Sequence, residues 1–321
     1  IIITDALNMD AIAKHFHHKD VARIAINAGV DILLMPNGFY SDSSAEEFGV
    51  YIQEIEEMVE AGEISVTRID EAVTRILTLK EKLGLFDKDY AISDEKIAKA
   101  HAIVGSKEHH EKEFEIATKA LTLVKNNGAL PIVFKENEKV LIFNTFDSEI
   151  NSTQCAFDLL KGKGVIVNYK VDSYGKKPLA QAVLLAEKVK EADYIIATVN
   201  TYDKSYMDRS SKNGWQATFL DALIEEVHRQ GKKIVIVSCY LPYDVARYQK
   251  ADAIVCCYSD KSIRDYPIVY DGETYTFGVA ITAAIVKMFN GRDYSGKLPF
   301  TIYKLDENYH YTGEVLYEVA K

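Results

Sequence analysis

Three isoleucines, Ile1 to Ile3, run directly into Thr4 and Asp5, and the chain then turns polar through Asn8, Met9 and Asp10. An unbroken apolar run of this kind predicts a strand buried on both faces, as in a parallel sheet covered by helices, with Asp5 where the strand emerges. Where strands and helices alternate around a barrel, chemistry collects at the carboxyl ends of the strands. A carboxylate in that place therefore reads as a catalytic group. The same spacing also suits a helix cap, since Asp5 or Asn8 would accept bonds from the first turn of a helix through Ile12 and Ala13. The histidines of His15-Phe16-His17-His18 fall on one helical face at His15 and His18. No carboxylate or cysteine completes a zinc spacing around them, so no metal site is expected.

Two stretches carry a family resemblance. Ile3-Thr4-Asp5-Ala6-Leu7-Asn8-Met9, followed by Ala25-Ile26-Asn27-Ala28-Gly29-Val30-Asp31-Ile32-Leu33-Leu34-Met35-Pro36, resembles the nucleophile strand and final barrel strand of glycoside hydrolase family 3. Within that family the likeness is to the β-N-acetylhexosaminidases acting on cell-wall or chitin-type saccharides. Gly105-Ser106-Lys107 and Ala120-Leu121-Thr122-Leu123-Val124-Lys125-Asn126, with Leu130-Pro131, resemble the entry to the family's C-terminal domain. The resemblance implies that Asp5 attacks the anomeric carbon; Asn8, Met9 and Met35 would then be candidates to line the sugar site, with helix capping for Asn8 and core packing for the two methionines as the alternative readings. The resemblance also implies a carbohydrate substrate and no cofactor.

In the hexosaminidase branch the acid/base is a His paired with an Asp on an upstream loop of Lys-His-Phe-Pro-Gly-His-Gly type, and no such segment occurs here. The resemblance therefore implies the C-terminal half of an enzyme whose partner is its own upstream barrel half, with little activity expected of this chain alone. Two alternatives stay open. A β-glucosidase or xylosidase of the same family usually carries an aromatic residue after the nucleophile, where this chain has Ala6. The other alternative is a carbohydrate-binding or scaffolding module without catalysis.

The elements that would position these residues follow from periodicity. Helices are predicted over 11–28, 44–60 and 65–82, around a second buried strand at Asp31–Met35. Beyond Phe86 comes a helical bridge, with helices opening at Ser93 and Ser106. From Lys139 onward short apolar runs at 140–143, 165–167, 194–199, 234–237 and 253–257 alternate with helices at 149–162, 178–191, 215–230, 243–249 and 274–290. The fold class is thus α/β. With the resemblance, it is expected to comprise the last two strand-helix units of a (β/α)8-type barrel (1–86), a helical linker (87–135) and an α/β/α sandwich domain with a mostly parallel sheet (136–321). Asn144 to Ser148 contains no glycine, so the dinucleotide fingerprint is missing. Thr201–Lys212 and Ser259–Gly272 follow strands at the end where open sheets place ligand crevices, and read either as support for a ligand site or as plain surface loops; the tail from Tyr303 is expected to cover a sheet edge.

With 321 residues, 48% of them apolar, the chain can bury two cores. A net charge of −10 without a basic block argues against nucleic acid. No apolar stretch approaches the length of a membrane span. Cys155, Cys239, Cys256 and Cys257 lack metal or redox spacing and read as reduced core thiols. The compartment is left open between the bacterial cytoplasm and a secreted or cell-wall location.

Overall fold

In the computed structural model the described residues are 1–36, 38, 40–86, 92–175, 183–259, 268–270, 273–275, 279–291 and 293–319. They form two compact units, Ile1–Ile97 and Ala98–Lys321.

The first unit holds two extended segments and four complete helices, α1 (Asp10–Ala13), α2 (His18–Asn27), α3 (Asp42–Glu60) and α4 (Val66–Lys82). The segments pair in parallel through an Ile3–Ile32 bridge, with Thr4 N donating to Ile32 O at 3.1 Å and Leu7 N to Leu34 O at 3.0 Å. α3 starts in a capping box, where Ser41 and Ser44 exchange side-chain bonds with each other's backbone. Ser65 Oγ accepts from Arg68 N at 3.1 Å to open α4. A small core of Ile26, Met58 and Ile64 is flanked by Leu33, Ile55 and Ile69.

Two expectations fail here. The helix predicted over 11–28 breaks at 14–17, so His15 and His18 do not share a helical face. Ile1, Ile2 and Ile3, read as buried on both faces, are 45%, 56% and 54% exposed. The physical reason is that the pair of segments gains one partner from each other and helices behind, but no described residue covers their remaining face.

The second unit begins with the end of α5 (Asp94–Ile103) and with α6 (Lys107–Ala120), capped by Ser106. A six-stranded sheet follows in the order β1-β6-β5-β4-β2-β3. Its strands are β1 (Thr122–Asn126), β2 (Lys139–Asn144), β3 (Asn168–Ser173), β4 (Tyr194–Val199), β5 (Ile234–Ser238) and β6 (Ala253–Cys256). All neighbours run parallel except β1, which pairs antiparallel with β6. The parallel strands reverse their spatial progression between β2 and β4.

Alternate residues serve opposite cores, as period-two geometry requires. Val140, Ile142, Ile196, Val235 and Val237 pack with α7 (Ile150–Gly162) and α10 (Val279–Asn290). Leu141, Phe143, Ile195, Ala197 and Ile236 pack with α8 (Leu185–Lys190) and α9 (Trp215–Arg229). Two short hairpins complete the unit, β7 (Ile268–Tyr270) with β8 (Glu273–Tyr275) and β9 (Ile302–Leu305) with β10 (Tyr311–Tyr317).

Several boundaries differ from expectation. Thr122–Asn126 is an edge strand instead of a helix end, and its alternation of threonine and valine with longer side chains suits that edge. The strand read at 165–167 starts at Asn168, because Gly164 at φ 81° and the Val165 N bond to Leu160 O first close the helix. The helix expected over 243–249 is a 3₁₀ turn, Pro242–Ala246. Of the helix expected over 274–290, Thr274 and Tyr275 belong to a strand and Val279–Asn290 is helix. The tail pairs with itself as a hairpin, and Leu305, Leu316 and Tyr317 pack on the core beside α9 instead of extending the sheet.

At the carboxyl ends of β2 and β4 lies a buried polar cluster. The Glu149 carboxylate accepts from Thr145 N at 3.0 Å, from Thr198 Oγ at 2.6 Å and from Asn200 Nδ2. Burial pushes Glu149 up from its ordinary 4.5 to about 7, against these hydrogen bonds. Burial likewise lifts Asp244, bonded to Ser238 Oγ at 2.6 Å, to about 7. A carboxyl raised on folding holds its proton better in the folded state. Its stabilisation is therefore complete below about pH 4.5 and is lost as pH rises through 7. For Glu149 alone the loss is about 3 kcal/mol at 1.36 kcal/mol per pH unit. Urea unfolding followed by Trp215, the single tryptophan, is expected to give a lower midpoint at pH 8 than at pH 5. Glu149→Gln should flatten that slope, since the Asn200 amide can turn over to present its unpartnered oxygen. Equal midpoints at the two pH values would contradict this account.

Candidate functional site

Asp5 stands where the first extended segment ends. Its side chain is exposed, and its Oδ1 accepts from the following Ala6 N at 2.7 Å. It caps no helix. The residue before α1 is Met9, which makes no side-chain cap, so neither Asp5 nor Asn8 takes the capping role that the spacing allowed. Among the described residues Asp5 has no ion pair, leaving the carboxylate free to meet a ligand. Thr4, beside it, is turned the other way: Thr4 Oγ accepts from Leu34 N at 2.9 Å and ties the two segments together at their ends.

A cavity of about 590 Å³ opens beside these ends, walled by Leu7, Asn8, His18, Pro36, Tyr51 and Glu54 among others. Of the residues singled out from the sequence, Asn8 lines it. Asp5, Met9 and Met35 do not, although Met9 and Met35 are 44% and 47% exposed close to it in the chain. Met35 adopts φ 46°, a left-handed backbone conformation that turns the second segment sharply into Pro36. The turn expected at Pro36-Asn37-Gly38 includes Asn37, which lies outside the described residues.

The position of the segment ends depends on a residue that the sequence reading placed only in a strand. Asp31 is 1% exposed at its side chain and is gripped by two arginines of α4. Arg68 Nη2 donates to Asp31 Oδ1 at 2.8 Å, and Arg75 spans both oxygens from Nε at 3.0 and 3.1 Å. Arg68 also donates to the carbonyls of Ile26 at 3.0 Å and Val30 at 2.7 Å, while Ile2 N donates to Asp31 Oδ2 at 3.0 Å. One carboxylate thus joins α2, both extended segments and α4. The Arg75 and Arg68 bonds hold its carboxyl well below the usual carboxylate range. The only hint of this in the sequence is Arg68 and Arg75 two turns apart on a helix otherwise read for its apolar face.

The other sequence candidates are structural or lie elsewhere. Thr201–Lys212 is folded on itself: Asp203 accepts from Ser205 N at 2.7 Å, Asp208 from Ser210 N at 2.8 Å, and Asn213 donates to Ser205 Oγ at 2.8 Å. Gly214 lets this loop close, since a β-carbon there would meet Asp208 O at 2.1 Å. Tyr202 packs against Tyr240 with ring centres 4.7 Å apart. Trp215 packs edge-on against Tyr174 and Phe146, as an anchor. Most of Ser259–Gly272 lies outside the described residues. All four cysteines are unpaired, three of them buried. Among the described residues there is no group of three or more metal-binding side chains and no helix long and apolar enough to cross a membrane.

With this geometry in place the likeness to known proteins can be stated. Residues 1–79 match the model of the glycosyl hydrolase family 3 N-terminal domain. That segment is what carries the likeness to the family. Over 324 aligned residues it is 24% identical to a β-hexosaminidase A of Pseudoalteromonas piscicida, a match covering 94% of this chain and 50% of that protein. It is 26% identical to a β-xylosidase of Formosa agariphila, covering 53% of this chain and 26% of the relative. The fold is shared with a family 3 β-N-acetylglucosaminidase from a Paenibacillus species, at a TM-score of 0.58 and 19% identity, over 93% of this chain and 50% of that one. The chain thus spans half or less of these relatives.

Because a lowered carboxyl contributes stability above its ordinary value of about 4 and loses it as pH falls below, the Asp31 clamp should make the segment that matches the family 3 model acid-sensitive. Limited proteolysis within residues 1–35 at pH 7 is expected to run at least about tenfold faster in Asp31→Asn than in the parent chain. As pH falls below about 4 the two rates should draw together progressively, meeting only where the clamped carboxyl itself takes up its proton. Unchanged cleavage at pH 7 would show that the clamp does not position the segment ends.

Proposed function

We propose that this chain is part of a retaining β-N-acetylglucosaminidase that removes terminal β-linked N-acetylglucosamine from cell-wall or chitin-type saccharides, with Asp5 as nucleophile. The observation that carries the reading is the free, exposed carboxylate of Asp5 at the end of a parallel-paired segment inside the stretch matching family 3. In the first step an Asp5 oxygen attacks the anomeric carbon, the bond from that carbon to the leaving oxygen breaks, and an acid delivers a proton to that oxygen. Water, deprotonated by the same group, then displaces Asp5 from the anomeric carbon. Two inversions give net retention. Asn8 hydrogen-bonds a sugar hydroxyl, and Met9 and Met35 offer apolar contact to the acetamido methyl.

The acid/base is assigned to a His-Asp pair on the upstream half of a (β/α)8-type barrel, of which residues 1–86 form the last two units. Residues 136–321 are an α/β sandwich that follows in the chain through a helical linker. The exposed Ile1, Ile2 and Ile3, with Leu34 at 42%, give such an upstream half an apolar face to cover. At about 25 cal/mol per Å² of buried apolar surface, covering it would stabilise the joined barrel appreciably. The xylosidase relative motivates a second reading, a glucose- or xylose-type glycosidase, for which Ala6 in place of an aromatic residue is the counter-indication.

The test joins this chain to the upstream half and traps the enzyme with a slow 2-deoxy-2-fluoro glycoside. The label is expected on the peptide bearing Asp5, and paired nitrophenyl glycosides should favour N-acetylglucosamine over glucose and xylose. Asp5→Gly should lose about a thousandfold or more in kcat, and azide should restore turnover with an α-glycosyl azide as product. Label on another residue, or near-normal turnover in Asp5→Gly, would remove Asp5 from the mechanism.

A further inference from the structure

The two extended segments of the first unit pair regularly at one point only. At the Ile3–Ile32 bridge, Ile32 N donates to Ile2 O and Thr4 N to Ile32 O, each at 3.1 Å. The next rungs of a parallel ladder would run from Leu34 N to Thr4 O and from Ala6 N to Leu34 O. Both donors go elsewhere. Leu34 N donates to the Thr4 hydroxyl at 2.9 Å. Leu34 O accepts from Leu7 N at 3.0 Å, one residue later than the regular rung, and the displaced Ala6 N turns to Asp5 Oδ1 at 2.7 Å.

The first segment therefore carries one extra residue opposite Leu34, and the excess falls at Asp5 and Ala6. Such bulges are uncommon in parallel pairs and gather beside active sites, where they re-aim a side chain. This one is built by a side chain, because the Thr4 hydroxyl takes the place that the Thr4 carbonyl would hold in the ladder. The other side of the bulge is fixed. Asp31, three residues before Leu34, is held by Arg68 and Arg75. Met35, directly after it, adopts φ 46°, and His18 Nε2 donates to Pro36 O at 2.7 Å. Leu34 is thus a post from which Thr4 sets the position of the residue that follows it.

We infer that Thr4 is a positioning residue for the nucleophile: its hydroxyl replaces one rung of the ladder and so sets the bulge that presents the Asp5 carboxylate to the anomeric carbon. This rests on the reading of Asp5 as nucleophile. Thr4 touches no reacting atom and acts through the backbone of Asp5 and Ala6. Threonine suits the task, since its branched β-carbon restricts the hydroxyl to few rotamers. Valine offers the same shape without an acceptor, and serine the acceptor without the branch.

Two measurements test it, the first independent of catalysis. In Thr4→Val the segments either part or fall into the regular ladder, with Ala6 N on Leu34 O. Leu7 N loses its acceptor in both cases, so its amide hydrogen exchange in the 321-residue chain, read by NMR, is expected to run about tenfold or more faster. Thr4→Ser should stay near the parent rate. The second measurement joins the chain to the upstream half and takes rates per folded molecule, counted from the circular dichroism melt. Thr4→Val is expected to lose about tenfold to a hundredfold in kcat with KM within about twofold, because misplacing a reacting group weakens the transition state and not substrate binding. Thr4→Ser should recover most of that loss. Unchanged Leu7 exchange in Thr4→Val, a loss confined to KM, or a normal kcat beside a crippled Asp5→Gly overturns the role of Thr4 and leaves the nucleophile in place. Near-normal turnover in Asp5→Gly instead overturns the nucleophile reading, and the role of Thr4 with it.

Discussion

The first unit depends on one buried carboxylate. Asp31 receives Arg68, Arg75 and the Ile2 amide together, and through Arg68 it also reaches the carbonyls at the end of α2. Isolated ion pairs at a surface contribute little, but an acid with nearly all its lone pairs filled by charged and backbone donors fixes geometry as well as charge. The clamp sits at the amino-terminal side of the paired segments. Asp5 and Asn8 sit at the other side, so a rigid bottom sets where the reactive top can be. The apolar core beneath, centred on Ile26, Met58 and Ile64, is too small to do this by packing alone.

The second unit is held differently. Its strands bury side chains on both faces, and the polar groups collect at the carboxyl ends of β2, β4 and β5, where the strand order reverses. Among the described residues Asn144 Nδ2, Asn200 Oδ1 and Asp244 Oδ2 are buried there without partners, and Glu149 and Asp244 keep their protons to unusually high pH. Such a cluster makes stability sensitive to pH, in the sense opposite to the Asp31 clamp. The acid-sensitive first unit and the base-sensitive second unit leave an intermediate pH range in which both are well held.

Much of this was legible in the residues. The apolar runs ending in Asp5 and Met35 located the two extended segments, the serines at 65, 93 and 106 opened three helices, and the alternation from Lys139 onward announced a mostly parallel sheet. Local signals of that kind work because period and capping are properties of a few neighbouring residues. The family likeness carried by Ile3 to Met9 was legible for the same reason, as a short motif read in order.

The rest was not local. That Ile1 to Ile3 are exposed, that Thr122–Asn126 turns back as an antiparallel edge, and that the tail pairs with itself depend on which surfaces find partners. No window of sequence records that. Asp31 looks like an ordinary strand residue until a helix some forty residues later brings two arginines to it. The sequence by itself determined the element types and the chemistry available. Tertiary structure alone decided which charges are paired, which remain open, and where a ligand can enter, because these depend on distances between residues far apart in the chain.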